Sequence, residues 1–348
     1  MADIHIRKEG RAGRITLNRP KALNALTYEM CLEIDAALKT WAHDDDVALI
    51  LIDAEGDRAF SAGGDIAEMY ETGRKGDYTY GRRFWADEYR MNARIASYPK
   101  PVVSLLQGFT MGGGVGVGCH GSHRIVGESS QIAMPECGIG LVPDVGGSFL
   151  LALAPGRLGE YLGTTGARMG PADAILVGFA DLFVPEADWS ALVSKLIETG
   201  DAQVILEHTS QPPEGRLAAL RPEIDAHFAG ETGGDILRAL RHSGSPFATE
   251  AIRAFTRSAP LSVACTVEML HRLRGAPSMR RALELEYRFT YRAMEHGDFI
   301  EGIRAAIIDK DRNPRWRHES AEAVSGMEVS KMLMPLGAQA LTFEEELA

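Results

Sequence analysis

Two short apolar runs in this chain each end in a cluster of glycines, and that pairing limits the folds open to it more than any other feature. Val47 to Ile52 leads to Phe60-Ser61-Ala62-Gly63-Gly64-Asp65-Ile66, and Val102 to Gln107 leads to Gly112-Gly113-Gly114. A short apolar run bounded by turn residues reads as a strand buried on both faces. Glycine after such a strand lets the backbone approach a ligand and aim its N–H groups at it. If a helix starts at the second cluster, those groups are also the unpaired donors of its first turn, at the positive end of its dipole. Two turns of this kind could place two N–H groups at one point and polarise a carbonyl oxygen toward a tetrahedral oxyanion. Taken singly, a glycine cluster marks a tight turn or close helix packing equally well.

The loop after the second cluster carries two acids, Glu136 and Asp144, on either side of residues 137–143. Two carboxylates in a mostly apolar cleft push one pKa up by mutual repulsion and desolvation. A carboxyl tuned that way can donate a proton at neutral pH. Loop capping competes with this reading, because Glu136 follows Pro135 and Asp144 precedes Val145-Gly146-Gly147, a helix start.

The three segments FSAGGDI, QGFTMGGGVGVG and AMPECGIGLVPDVGG resemble the crotonase (enoyl-CoA hydratase/isomerase) superfamily, and within it the 3-hydroxyisobutyryl-CoA hydrolase branch. The likeness runs from NRPKALNALT near the start to EYR at 286–288 and DFIEGIRAAIIDKD at 298–311. It implies an α/β fold: a spiral of ββα units over residues 1–190 and a mainly helical region over 191–330 that packs on the CoA and acyl site; the tail, 331–348, ends in acids and reads as loose from its own composition. It also implies that the Gly64 and Gly113 N–H groups are the oxyanion donors. Gly63, Gly112 and Glu88 would lie at the acyl group. Glu136 would attack the thioester carbonyl or activate water. Asp144 would bind the substrate hydroxyl, position water or protonate the departing sulfur. Arg19, Lys21, Ala22 and Leu23, with Ala62, Asp65 and Lys310, would meet coenzyme A; solvated loop cations are the competing reading for Arg19 and Lys21, and a dipole-favoured cation at a helix C-terminus is the equal reading for Lys310.

One departure from the superfamily is informative. Hydratases carry one of two catalytic glutamates at the position matched by Gly116, which has no side chain for acid–base work. The position of Asp144 is glycine in many of them. A second carboxylate that has moved downstream fits hydrolysis of a short β-hydroxyacyl-CoA thioester, 3-hydroxyisobutyryl-CoA of valine breakdown foremost. Two alternatives stay open: a hydratase or isomerase working through Glu136 alone, and a non-catalytic acyl-CoA-binding protein.

Composition bounds the rest. Hydrophobic content of 45% and charged content of 24% are those of a soluble globular chain. A net charge of −11 argues against nucleic acid as a partner, and requires any CoA site to be a local basic patch. His120 and His123 have HxxH spacing without further ligands, so no metal is expected, nor any redox cofactor; coenzyme A enters as part of the substrate. Cys31, Cys119, Cys137 and Cys265 form no pairing framework, which fits a reducing compartment. Cys137, beside Glu136, is the one thiol with a nucleophilic reading. No apolar run reaches the length of a membrane span and the chain enters strand-like sequence at once, so the cytoplasm is expected. The expected partner is a small-molecule acyl-CoA, with no membrane; a monomer and the superfamily's trimers or hexamers both remain open.

Patterning places the elements. Residues 3–17 read as a hairpin turning at Glu9-Gly10. Thr27 caps a helix whose apolar face is Cys31, Ile34, Leu38 and Trp41. Residues 65–97 read as helix broken near Gly76-Asp77; Glu88 within it reads, by itself, as a solvated charge. Strands are expected at 123–126 and 181–184, and helices at 262–273, 279–294 and 299–308. Residues 200–260 show breaks and no chemistry.

Overall fold

The amino-terminal hairpin forms as its alternation predicts, with Ile6 opposite Ile15 across an antiparallel pair. In this computed structural model, which describes residues 2–343, the strands are β1 (Ile4–Glu9), β2 (Ala12–Leu17), β3 (Leu49–Ala54), β4 (Ala59–Ser61), β5 (Val102–Leu105), β6 (Phe109–Met111), β7 (His123–Val126), β8 (Gln131–Ala133) and β9 (Leu182–Phe183). They make two sheets: six strands in the order β1-β2-β3-β5-β7-β9, and three in the order β4-β6-β8. Successive passes of the chain therefore give one strand to each sheet: β3 then β4, β5 then β6, β7 then β8. Within each sheet these strands run parallel. That is the ββα spiral.

Parallel strands must be covered on both faces, which is why β3 and β5 are apolar almost without interruption. Leu49, Leu51, Val103, Leu105 and Ile125 share one core with Leu192 and Leu196 of the helix Trp189–Thr199. Each such side chain contributes roughly 1.5–3 kcal/mol of burial. The large sheet is thereby a stiff support for the strands that end at the glycine turns. The helix Tyr28–Ala42 starts at Thr27, whose side chain accepts from Met30 N, and buries Met30, Cys31, Ile34, Leu38 and Trp41 as its spacing predicts.

The chain forms two compact units from interleaved segments. The first is Met1–Asp65, Met91–Ala133 and Arg168–Ala218, and it holds both sheets. The second is Ile66–Arg90, Met134–Ala167 and Ala219–Ala348, and the elements among its described residues are helices. The interleaving arises because segments distant in sequence, such as residues 134–167, pack with helices from the last third of the chain, and apolar pattern does not record such partners. The expected helix over 65–97 is two helices, Ala67–Gly73 and Thr79–Ala96, parted around Gly76, whose φ is +77°. The expected 299–308 helix keeps α geometry only over Phe299–Ile303 and widens to a π turn at Arg304–Ile308. There the Arg304 guanidinium gathers Glu301, Asp309 and Asp311. Glu344, Glu345 and Glu346 of the acidic tail lie outside the described residues.

Candidate active site

In the first unit, β4 and β6 lie side by side with Ser61 opposite Thr110, and both end at glycines. Gly63 has φ +114° and Gly112 φ +49°, conformations that cost other residues strain. The two turns face each other: a Cβ on Gly63 would stand 3.5 Å from Met111 O and 4.0 Å from Gly113 N. A Cβ on Gly114 would stand 2.4 Å from Ser61 O, so no larger residue fits there. Among the described residues, neither the Gly64 nor the Gly113 N–H donates to a protein group. Unpaired main-chain donors are uncommon, and these two stand on adjoining turns.

The polar loop at residues 19–25 belongs to the same unit. Leu23 and Asn24 are left-handed, and the Asn24 side chain accepts from Arg19 N and donates to Glu55 O and Ala59 O, tying the loop to the start of β4. Ala62 N donates to Leu23 O. Arg19 donates to Ala25 O at 2.6 Å and pairs with Asp65 at 2.9 Å, so its charge also orders the loop internally. Arg19, Ala22, Leu23, Ala62 and Asp65 thus come together, with Lys21 exposed beside them. Lys310, in the second unit, is exposed and left-handed at φ +56°.

The acids lie in the second unit. Glu88, Glu136 and Asp144 are buried, and with them Glu286 of the Met279–His296 helix. Glu88, which by itself reads as a solvated charge and which the resemblance puts at the acyl group, is 4% exposed because it falls on the face of its helix shared by Phe84, Asn92 and Ile95. Tyr89 donates its hydroxyl to Asp144 Oδ2 at 2.7 Å. Glu136 sits in a tight turn, Glu136–Ile139, after Pro135. Glu136 Oε2 and Glu88 Oε1 are buried without a hydrogen-bond partner. Such atoms are rare in folded proteins and concentrate where something binds.

Burial dominates the electrostatics. It pushes Glu88 and Glu136 well above the usual carboxylate range, and the nearby Asp144 charge adds to both shifts. Burial takes Asp144 up to about 7, against the Tyr89 hydrogen bond, which pulls it down. It takes Glu286 up to about 8. Burial and the neighbouring carboxylates thus both favour the protonated forms of these acids.

Sequence reasoning missed Tyr89 as Asp144's donor, and Glu286 and Ser148 entirely. A signal existed: Glu-Tyr-Arg occurs at 88–90 and again at 286–288. Glu286 stands at helical spacing from Ala282, Phe289, Thr290 and Ala293, an acid on an otherwise apolar face. Cys137 is no nucleophile in this setting. It is buried, its sulfur lies 3.3 Å from the Thr266 hydroxyl, and burial pushes its thiol up to about 12. Gly116 is buried inside the helix Gly113–Gly118, so that helix presents no acid. Among the described residues no three His, Cys, Asp or Glu side chains converge as a metal site.

A parallel ββα spiral that ends two successive strands of its smaller sheet on facing glycine turns defines the crotonase class of α/β proteins. Comparison with known proteins narrows this. A family model described as enoyl-CoA hydratase/isomerase matches residues 12–333, and the chain belongs to that family. The 3-hydroxyisobutyryl-CoA hydrolases, mitochondrial, of Rattus norvegicus and Homo sapiens are 38% and 36% identical to it, each alignment covering 98% of this chain and 91% of the relative. A crystal structure described as an enoyl-CoA hydratase from Rhodobacter sphaeroides is 61% identical, with TM-score 0.94 over 98% of this chain and 100% of that one. One described as a carnitinyl-CoA dehydratase from Mycobacterium thermoresistibile is 40% identical, with TM-score 0.94 over 99% and 100%. Among the described residues no helix is long and apolar enough to cross a membrane.

Proposed function

We propose that this protein hydrolyses a short β-hydroxyacyl-CoA thioester, 3-hydroxyisobutyryl-CoA foremost, to the free hydroxy acid and coenzyme A. The observation that carries the reading is the pairing of Glu136 with Asp144 in one buried carboxyl cluster, in a chain whose position 116 is glycine. The names of the relatives that align over nearly the full length support the same acyl group.

The roles divide by chemistry. The Gly64 and Gly113 amides donate to the thioester oxygen and stabilise the charge that grows on it. Glu136, whose free Oε2 no protein donor occupies, takes a proton from water as the water oxygen bonds to the carbonyl carbon, or attacks that carbon itself. Collapse of the oxyanion breaks the C–S bond, and the departing thiolate takes the proton that Asp144 holds up to about pH 7. In the direct-attack variant water then opens the Glu136 anhydride. Glu88, with its unpartnered Oε1, accepts from the substrate's hydroxyl. Arg19, Lys21, Ala22, Leu23, Ala62, Asp65 and Lys310 receive the CoA moiety. The four cysteines, all free and buried, support a reducing compartment.

The descriptions of the two solved structures compared above favour a second reading, hydration and dehydration of an enoyl-CoA. The missing acid at Gly116 weighs against the two-glutamate route to it. One experiment separates the readings: free thiol released from 3-hydroxyisobutyryl-CoA against loss of enoyl absorbance from crotonyl-CoA. Thiol release with unchanged crotonyl absorbance is expected. Hydration without thiol release would overturn the hydrolase reading, and neither reaction at any pH would leave an acyl-CoA-binding protein.

A further inference from the structure

The second Glu-Tyr-Arg segment has no part in the chemistry above, yet its glutamate is fully buried and satisfied in an unusual way. Glu286 Oε2 accepts from Gly146 N at 2.9 Å; Oε1 accepts from Ser148 N at 3.1 Å and from the Ser148 hydroxyl. All three donors belong to the turn that leads from Asp144 into the helix Gly147–Leu153. That turn is strained. Val145 is β-branched, 1% exposed and left-handed at φ +53°, followed by Gly146 at φ +80°. A β-branched residue in that region costs about 1–3 kcal/mol and persists only where its surroundings impose it.

We infer that Glu286 is a positioning residue for Asp144, acting as a clasp on residues 146–148 that holds the strained turn and so fixes where the Asp144 carboxyl stands. It makes no contact with the reacting atoms. Tyr89 holds Asp144 from the side-chain end, and Glu286 holds it from the main-chain end. Both Glu286 oxygens accept from N–H groups, so a glutamine there turns its NH2 against one of those donors and loses that arm. Once ionised, as pH passes its own raised pKa of about 8, Glu286 also raises the pKa of Glu136, after burial and Asp144. The turn is flanked by Glu88, Tyr89, Glu136 and Asp144, the titratable groups that report on it.

The kinetic part of the test rests on the hydrolase reading; the exchange part does not. Glu286→Gln and Ser148→Ala are compared with the wild-type protein by hydrogen exchange of the 144–148 segment, by kcat and KM for 3-hydroxyisobutyryl-CoA, and by the pH profile. Glu286→Gln should speed exchange of the Gly146 and Ser148 amides on the order of tenfold. It should lower kcat about 100-fold with KM within about threefold, since a small misplacement of a reacting group costs that much. The limb of the profile that reports Glu136 should move to lower pH. Ser148→Ala removes one arm and keeps the charge: kcat should fall about 3–10-fold with the profile unmoved. Wild-type exchange in both variants overturns the clasp. Faster exchange with wild-type kcat and pH profile overturns its role in positioning. If Glu286→Gln fails to fold, Ser148→Ala decides alone: unchanged local exchange and kcat overturn the proposal. If the wild-type protein releases no thiol, the hydrolase reading falls, and the exchange data still judge the clasp.

Discussion

Glu136 keeps one carboxyl oxygen that no protein donor meets, in a place where burial already resists its ionisation. Glu136→Gln keeps the shape and removes the base or nucleophile. It is expected to cut kcat about 10²–10⁴-fold with KM little changed. A variant with near-normal turnover in the thiol assay would take Glu136 out of the mechanism. Tyr89→Phe tests the partner acid. The Tyr89 hydroxyl stabilises ionised Asp144, so its removal raises an already elevated pKa of about 7. In the proposed reaction thiolate protonation needs Asp144 protonated, so activity should be lost as pH rises through that pKa. The alkaline limb of kcat/KM should therefore move to higher pH in Tyr89→Phe, read over pH 5–9. A limb that stays put, or moves down, rejects Asp144 as the proton donor. Glu136 and Asp144 were legible in the sequence because each sits in a motif with a local signature. Tyr89's role was not, because a hydrogen bond across residues 89 and 144 leaves no mark in either segment.

At the scale of elements, the glycine turns were the most legible part of the fold. A backbone that must pass 2.4 Å from where a side chain would begin admits one residue type, so Gly114 records its tertiary contact with Ser61 in its own identity. Gly114→Ala should push the two turns apart while the large sheet, built on other residues, still folds. Far-ultraviolet circular dichroism should stay near wild type while kcat falls about 100-fold or more. Normal turnover would mean that the facing turns are packing alone. The Asp144 turn was the least legible. Val145-Gly146-Gly147 reads as an ordinary helix start, and nothing local announces that Val145 is left-handed. Its strain is held by burial, and magnitudes decide the outcome of relieving it. Val145→Gly removes about 1–2 kcal/mol of left-handed penalty. It forfeits roughly 1.5–3 kcal/mol of buried side chain and about 0.5–1 kcal/mol of chain entropy. The net expectation is destabilisation of about 1–2 kcal/mol, read as a lower Tm. A raised Tm would show that strain outweighs packing there.

Over the whole molecule, the buried acids set how stability depends on pH, and the sign is opposite to the common case. Glu88, Glu136, Asp144 and Glu286 all have pKa values raised by burial, so between the unfolded value near 4 and the folded one the native state binds more protons than the unfolded chain. Stability then falls as pH rises through that window and levels off above it. For Asp144, with a folded pKa of about 7, the fall between pH 4 and pH 7 amounts to roughly 4 kcal/mol. Glu160 works the other way. Against burial, which raises its pKa, His271, Arg274 and Arg157 hold its carboxyl low, and that contribution is present above the unfolded pKa and lost as pH falls through the folded one. The two trends together place the maximum in mildly acid solution rather than at neutrality. Self-repulsion in a chain of net charge −11 has the same sign as the buried acids above that maximum. Salt distinguishes them, because surface repulsion is screened at high ionic strength and the desolvation of a buried carboxylate is not. Tm by scanning calorimetry is therefore expected to fall from pH 5 to pH 8 even in high salt, and Asp144→Asn should flatten part of that slope. A Tm that holds steady or climbs over this range would mean that the cluster ionises without penalty, which would remove the physical basis for Asp144 as a proton donor at neutral pH.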